Sequence, residues 1–255
     1  MKNKRLFLLH GAPGHSGIWG PVLDLLPNDL EVICPTLEWF GPEDWKRPGE
    51  EFSTEAHSEQ ICNLLKEHPK GDNYVAAWSY STHPVLLALI KHPELIAAAL
   101  LYEPGLPTYL DTQEEIDRFQ HSAAHGFTPI ISAMQEQGAA AAVRALFDSS
   151  GGVGCFESMS EERQALYLQS ERMMPLLLGG GQHPTNIQSA DLKRIKTPVT
   201  VILGDRSPDH FAIPSRKVAA TVANGHLRMQ ENCDHMMPEK DPARFARLLR
   251  EWLEV

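Results

Sequence analysis

The sequence predicts an α/β protein built on a mostly parallel, doubly wound sheet of about six strands, with a helical insertion. Short apolar segments alternate with segments of helical period along much of the 255-residue chain. This alternation is typical of a parallel sheet with helices on both faces. Between residues 106 and 189 only helical patterns remain. We therefore expect a core formed by residues 1–105 and 190–255 and a helical cap formed by residues 106–189. The alternative is that the inserted helices pack directly on the sheet.

Six segments have the apolar composition of buried strands. In order they are RLFLLHG (5–11), LEVICPTL (30–37), NYVAAWS (73–79), LIAAALLYEP (95–104), PVTVILGD (198–205) and HLRMQEN (226–232). Helical patterns lie between them, namely GIWGPVLDLLP, EAHSEQICNLLKEH (55–68), THPVLLALIKH (82–92), SRKVAATVAN (215–224) and PARFARLLREWL (242–253). In the insertion we expect three helices, QEEIDRFQHSAA, PIISAMQEQGAAAAVRALF and SEERQALYLQSERMMPLLL.

The overall composition limits the possible partners and compartment. The net charge of −10 argues against nucleic acid or an anionic membrane as the main partner, so we expect a small-molecule substrate. The sequence indicates no oligomeric state. The four cysteines form no C-x-x-C pair, which predicts free thiols in a reducing cytoplasm and argues against a zinc or redox site. No metal cluster, phosphate-binding loop or dinucleotide motif occurs, and we expect no cofactor.

The first residues, MKNKRLFLLHG, superficially resemble a secretory signal because basic residues precede an apolar run. That run is shorter than the roughly 7–15 residues of a signal sequence and has no small-residue cleavage site after it. We interpret it as a strand. Nowhere does the sequence contain the roughly 20 consecutive apolar residues that a membrane-spanning helix needs.

Ser79 is the first candidate for catalysis, because AAWSYSTH places it where a strand meets a helix. A nucleophilic serine at such a junction needs a sharp turn with small residues two positions before and after it, usually Gly-x-Ser-x-Gly. Ala77 and Ser81 occupy these positions and are both small. The alternative is an ordinary serine near the start of a helix.

Two further segments lie where they could meet Ser79. His235, in NCDHMMPEKDP, is the only one of the 12 histidines that follows the last strand, and that loop can reach back over the sheet. The glycine-rich segment GAPGHSG follows the first strand and lets backbone amides point inward, or forms a simple flexible turn. Within it, we expect His15 and Ser16 to be solvated rather than to line a pocket.

Taken in order, HGAPGHSGIW, AWSYSTHPVLLALIKHPEL, LLYEP, PVTVILGDRSP and CDHMMPEKDPARFARLL resemble the α/β-hydrolase superfamily. The resemblance covers about residues 5–105 and 190–255. It implies that the two strands which usually precede the His-Gly strand are missing, so that about six remain instead of eight. It also implies that Ser79 is the nucleophile, that His235 is the general base, and that the backbone N–H groups of Ala12 and Tyr80 form an oxyanion hole.

The acid of the triad is where this sequence departs from the family pattern. The usual aspartate would stand three residues after Gly204, and that position is Ser207, which cannot stabilise an imidazolium as a carboxylate does. Glu103 ends the fourth strand, which should lie beside the nucleophile strand, and is our first choice. Asp209 and then Asp205 follow it. A structural hydrogen bond to backbone loops is the alternative role of Glu103.

The predicted activity is hydrolysis of a small carboxylic ester, lactone or thioester through an acyl-enzyme. A carbon–carbon bond hydrolase or a hydroxynitrile lyase on the same triad, and a ligand-binding protein without catalysis, are the alternatives. Candidates for an apolar pocket wall, or for core positions, are Trp78, Tyr80, Met173, Met174 and Leu176–Leu178.

Overall fold

A computed structural model describes residues 4–69 and 72–255 and contains a six-stranded sheet in which every strand runs parallel to its neighbours. The strands are β1 (Arg5–Leu9), β2 (Glu31–Ile33), β3 (Asn73–Trp78), β4 (Ala98–Tyr102), β5 (Val199–Gly204) and β6 (Gly225–Gln230). The order across the sheet is β2-β1-β3-β4-β5-β6. The predicted α/β class and strand number are therefore confirmed.

Helices flank this sheet and also form most of the segment between β4 and β5. They are α1 (Gly20–Leu23), α2 (Thr54–Lys66), α3 (Thr82–Lys91), α4 (Gln113–Gln137), α5 (Ala139–Gly151), α6 (Glu161–Leu168), α7 (Ser189–Leu192), α8 (Asp209–Thr221), α9 (Met237–Lys240) and α10 (Pro242–Leu253). α1 packs against α10, α2 packs against α3, and α4 packs against both α5 and α8. α4 to α6 lie within residues 106–189, and α7 begins at the last residue of that segment.

The strand order explains where a site can form. The chain leaves β1 for β2 on one side and then returns to place β3 on the other side of β1. At such a switch point the loops after the two strands diverge and open a crevice at the carboxyl ends of the strands. His10 and Gly11 follow β1, and Ser79 follows β3, so both candidate loops begin at this crevice.

The inserted helices begin and end at residues other than those predicted. The reason is that a proline does not interrupt the first helix, whereas a glycine ends it. α4 continues through Pro129, where we expected a new helix to begin, and ends at Gly138 instead. Gly138 has φ 91°, in the left-handed region that glycine adopts without strain, so the chain turns there into α5. The third predicted helix divides into α6, a short 3-10 turn at Glu171–Met173 and a wide turn at Leu176–Gly180.

Two other element boundaries are also corrected. α8 begins at Asp209, before Pro214, although proline lacks the N–H that an interior helical position donates. The expected start at residue 215 was therefore wrong by six residues. β2 is an edge strand and pairs with β1 over only three residues of the segment 30–37.

Four histidines are buried as neutral rings, which predicts a loss of stability in mild acid. Burial lowers the pKa of His10 to about 3 and the pKa values of His57, His83 and His210 to about 4. Between these values and the unfolded value near 6.5, the unfolded chain binds more protons than the folded chain. The free energy of unfolding therefore falls as pH drops through this range, by about 1.4 kcal/mol per pH unit for each histidine.

We expect the thermal unfolding temperature to be level above about pH 7 and to fall steadily towards pH 5. His57→Gln should make this slope shallower, because one proton-binding group is removed. An unfolding temperature that does not change between pH 7 and pH 5 would contradict the neutral burial of these rings.

Candidate active site

Ser79 lies in a strained turn directly after β3. Its φ is 56°, a left-handed value that non-glycine residues adopt rarely and at a cost. This backbone conformation places the Ser79 side chain at the carboxyl end of β3. The chain then continues through the turn Ser79–Ser81 into α3. A Cβ on Gly11 would lie 3.1 Å from Ser79 Cβ and 3.1 Å from the Trp78 carbonyl oxygen. Glycine at position 11 therefore leaves room for the turn.

The replacements for the usual glycines also fit this turn. Ala77 is fully enclosed within the sheet. The Ser81 hydroxyl lies 3.2 Å from both the Leu9 and Trp78 carbonyl oxygens, to which it can donate, so the extra atoms bond to the ends of β1 and β3 instead of clashing with them. The motif lacks both glycines and still satisfies the steric requirement of the turn.

His235 lies on the loop after β6 with its ring edge towards the serine. Its Nε2 is 2.8 Å from Ser79 Oγ, and its Nδ1 is 2.7 Å from Glu103 Oε2. The Phe211 ring stacks on the imidazole with centroids 3.6 Å apart and an angle of 5° between the planes. Trp78 Nε1–H donates to the His235 carbonyl oxygen at 3.0 Å. Backbone and ring are therefore both held in place.

Glu103 is fully buried immediately after β4 and uses its two oxygens differently. Oε2 faces the His235 ring, whereas Oε1 accepts hydrogen bonds from Gly204 N–H at 2.8 Å and from Ser207 Oγ at 2.6 Å. Ser207, at the position where the family usually has its aspartate, thus donates a hydrogen bond to the Glu103 carboxylate that faces His235. One oxygen of Glu103 therefore faces the histidine, while the other makes structural hydrogen bonds to the end of β5 and the loop after it.

The other two candidate acids are engaged elsewhere. Asp209 forms an exposed ion pair with Arg118 at 2.9 Å, and Asp205 Oδ1 accepts from Cys233 N–H at 3.1 Å. Neither carboxylate has a hydrogen bond to His235 within residues 4–69 and 72–255. Only Glu103 bonds to the imidazole among the three.

Ala12 and Tyr80 line the same cavity as Ser79, one from each flanking loop. The Tyr80 hydroxyl donates to His57 Nδ1 at 2.7 Å, and His57 Nε2 in turn donates to the Glu38 carbonyl oxygen at 2.9 Å. Because burial keeps His57 neutral, one nitrogen can accept while the other donates. These two hydrogen bonds in series hold the Tyr80 side chain in place. No pattern in the sequence had singled out His57.

Two histidines in the loop after β1, His10 and His15, form hydrogen bonds with backbone groups. His10 Nδ1 faces the Gly11 carbonyl oxygen at 3.0 Å, while Nε2 accepts from Leu37 N–H at 3.1 Å. His15 is buried, contrary to our expectation of a solvated side chain, and its Nε2 donates to the Leu166 carbonyl oxygen at 3.1 Å. The reason is that α6, far away in sequence, covers it.

A cavity of about 450 Å³ opens above Ser79 and His235. Of the residues suggested for its apolar wall, Tyr80 and Leu176–Leu178 line it, whereas Met173 and Met174 are completely buried in the core and Trp78 lies outside the lining. Part of its lining comes from α4 and α5, namely Gly126, Phe127, Ile130, Ile131, Leu146, Ser149 and Ser150. None of the described lining residues is Asp, Glu, Lys or Arg.

Two absences apply to residues 4–69 and 72–255. No cluster of three or more His, Cys, Asp or Glu side chains there is arranged to hold a metal ion. None of the helices in that part of the chain has the length and apolar character needed to cross a membrane.

A parallel sheet with a serine on a strained turn after β3 and a histidine after the last strand defines a class of α/β enzymes. The model of the alpha/beta hydrolase family matches residues 6–248, and the chain belongs to this family. Membership of this family supports a hydrolase activity for the protein. No curated protein matches the sequence.

Solved structures share the fold at low sequence identity. MenH from S. aureus is 18% identical with a TM-score of 0.76, and the match covers 100% of this chain and 94% of that one. The esterase RhEst1 from Rhodococcus sp. ECU1013 is 20% identical with a TM-score of 0.77, covering 99% and 90%. A haloalkane dehalogenase DbeA-M1 loop variant from Bradyrhizobium elkanii is 17% identical with a TM-score of 0.69, covering 99% and 89%. Similarities this low establish the fold alone.

Proposed function

We propose that the protein is a serine hydrolase that cleaves a small, uncharged carboxylic ester, lactone or thioester. The observation that carries this proposal is the continuous hydrogen-bonded chain from Ser79 Oγ through His235 to Glu103 Oε2. The left-handed backbone at Ser79 supports it independently, because such strain is retained mainly where function requires it.

In the proposed mechanism each group has a separate role. Glu103 accepts Nδ1–H of His235, which leaves Nε2 free to take the Ser79 proton, and stabilises the imidazolium that forms. Ser79 Oγ attacks the substrate carbonyl, and the backbone N–H groups of Ala12 and Tyr80 hold the oxyanion. His235 then protonates the leaving alcohol or thiol. Water, activated by the same histidine, hydrolyses the acyl-enzyme.

The cavity supports the choice of an uncharged substrate. Histidines are the only side chains in its described lining that could carry a formal charge. Burial lowers the pKa values of His83 and His210 to about 4, so both are neutral at pH 7. A carboxylate or phosphate bound there would lose its hydration without gaining a counter-ion, at a cost of several kcal/mol.

We expect p-nitrophenyl hexanoate to be hydrolysed with a kcat/KM at least roughly 100-fold above that of the mono-p-nitrophenyl ester of adipic acid. The two esters have the same carbon count, and a terminal carboxylate replaces the methyl group in the second. The comparison is made at pH 7.5, where that carboxylate is ionised. Equal kcat/KM values would contradict an uncharged cavity while leaving the triad unaffected.

The reaction class is tested with a substrate panel. Esters, lactones and thioesters are incubated with wild-type protein and with Ser79→Ala, beside a diketone and a cyanohydrin. We expect acid release from at least one of the first three classes, and its loss in the variant. Acid released only from the diketone, or cyanide from the cyanohydrin, would instead identify a carbon–carbon bond hydrolase or a lyase. Binding without turnover of any compound would favour a receptor.

We further propose that residues 106–189 act as a cap, since α4 and α5 contribute lining residues to the cavity that contains Ser79. The four cysteines are unpaired, which supports a reducing cytoplasm as the compartment. A small molecule is the expected partner, because the net charge of −10 disfavours nucleic acid.

A further inference from the structure

His210 is a second histidine beside the proposed catalytic residues and has no part in the mechanism above. It is the second residue of α8, is 4% exposed, and lines the same cavity as Ser79 and His235. The next residue, Phe211, stacks on His235. The start of α8 therefore brings both rings to the cavity.

The Ser122 side chain bonds to both the ring and the backbone of His210. The Ser122 hydroxyl oxygen lies 2.9 Å from His210 Nδ1 and accepts from the backbone N–H of His210 at 3.2 Å. With the hydroxyl proton directed at Nδ1, that nitrogen is the acceptor of this bond. Burial and the nearby His235 lower the pKa of His210 to about 4, so the ring is neutral. In this arrangement the single proton of the ring is on Nε2.

α4 is shaped to admit this ring. Gly126 lies in the middle of the 25-residue helix, where glycine costs about 1 kcal/mol relative to alanine. A Cβ at this position would lie 3.0 Å from His210 Cε1 and 3.4 Å from Nε2. The absence of a side chain therefore allows the imidazole edge to stand between α4 and the cavity. No side chain in the described part of the chain bonds to Nε2.

We propose that His210 donates its Nε2–H to a substrate oxygen other than the scissile carbonyl, and so selects esters that carry an ether, hydroxyl or second carbonyl oxygen. This inference rests on the proposed hydrolase function. The cavity is otherwise mostly apolar, so an unpartnered donor in it discriminates between a substrate that can accept and an isostere that cannot. Its role is one of specificity, because the mechanism above assigns no step of bond breaking to His210.

The test uses two series of esters. In the first, p-nitrophenyl hexanoate is compared with isosteres in which an ether oxygen replaces one methylene of the acyl chain. In the second, hexyl acetate is compared with isosteres in which an ether oxygen replaces one methylene of the alcohol. For each ester kcat/KM is measured with wild type and with His210→Phe. Intrinsic reactivity cancels because each ester is compared with itself in the two proteins. We expect at least one ether ester to lose about 3- to 10-fold more than its alkyl partner, as one hydrogen bond predicts.

Two further variants separate this role from general damage to the fold. His210→Gln retains an N–H donor and should restore part of the preference. Ser122→Ala keeps the ring but releases the proton to either nitrogen, and should weaken the preference without abolishing it. In wild type, the ¹⁵N spectrum of the neutral imidazole should show the proton on Nε2. Unchanged ether-to-alkyl ratios in His210→Phe across both series would overturn the proposal.

Failure of the hydrolase proposal is distinguishable from failure of this one. If no ester is cleaved, the dissociation constants of the same ester pairs are measured by calorimetry with wild type and His210→Phe. A selective loss of ether binding in the variant supports the donor role even without catalysis. Equal losses for both members of each pair contradict it.

Discussion

Ser79→Ala is expected to lower kcat by a factor on the order of 10⁶ in ester hydrolysis, while the protein remains folded. The hydroxyl that His235 Nε2 contacts at 2.8 Å is removed, and no other hydroxyl is bonded to that nitrogen in the described chain. Alanine fits the site because it only deletes one atom. Steady-state kinetics on p-nitrophenyl hexanoate, with a thermal unfolding curve for each protein, measure the effect.

The matched control is Ser81→Ala, two residues further along the same turn. The Ser81 hydroxyl bonds only to backbone carbonyl oxygens, so its loss should cost about 1 kcal/mol of stability and retain activity within about 10-fold. If Ser79→Ala kept more than a few per cent of the wild-type kcat, Ser79 would not be the nucleophile.

Glu103→Gln is expected to lower kcat by about 10⁴-fold with little loss of stability. Glutamine has the same shape, and its carbonyl oxygen can still accept from Gly204 N–H and Ser207 Oγ. Its amide group would then face His235 Nδ1 as a donor, which favours the wrong tautomer and removes the charge that stabilises the imidazolium. The same kinetic assay, with Asp209→Asn as the control, measures the effect. A larger loss of activity in Asp209→Asn than in Glu103→Gln would overturn the assignment.

Ser207 offers a sharper version of this experiment. Ser207→Asp alone would add a second carboxylate beside the buried Glu103, whose Oε1 is 2.6 Å from Ser207 Oγ, and like charges this close destabilise each other. In the Glu103→Gln background the same substitution supplies the missing negative charge near the histidine. We expect the double variant to be at least about 10-fold more active than Glu103→Gln. No recovery would indicate that an acid cannot reach His235 from position 207.

Much of the fold could be predicted because strand and helix patterns are local properties of sequence. The class, the strand number and the turn at Ser79 follow from alternating segments and from small residues at a strand end. Glu103 could be chosen as the first candidate because a neighbouring strand in a parallel sheet ends at the same edge. That Ser207 donates to it was not predictable, since this depends on how two loops meet.

Features that depend on packing between distant segments escaped prediction. Pro129 and Pro214 signal helix ends locally, yet α4 and α8 run through them while packed against each other. The burial of His15 depends on α6, more than a hundred residues away, and nothing local marks it. Likewise His57 and His210 become distinctive only when Tyr80 and Ser122 lie next to them.

Labelling with a fluorophosphonate probe tests the central claim most directly, because this reagent reacts with activated serines rather than with ordinary hydroxyls. The adduct is located by peptide mass spectrometry in wild type, Ser79→Ala, Glu103→Gln and Asp209→Asn. We expect one adduct on Ser79 in wild type, none in Ser79→Ala, strongly slowed labelling in Glu103→Gln and normal labelling in Asp209→Asn. A correctly folded wild-type protein that stays unlabelled, or that is labelled on another residue, would contradict the assignment of Ser79 as an activated nucleophile.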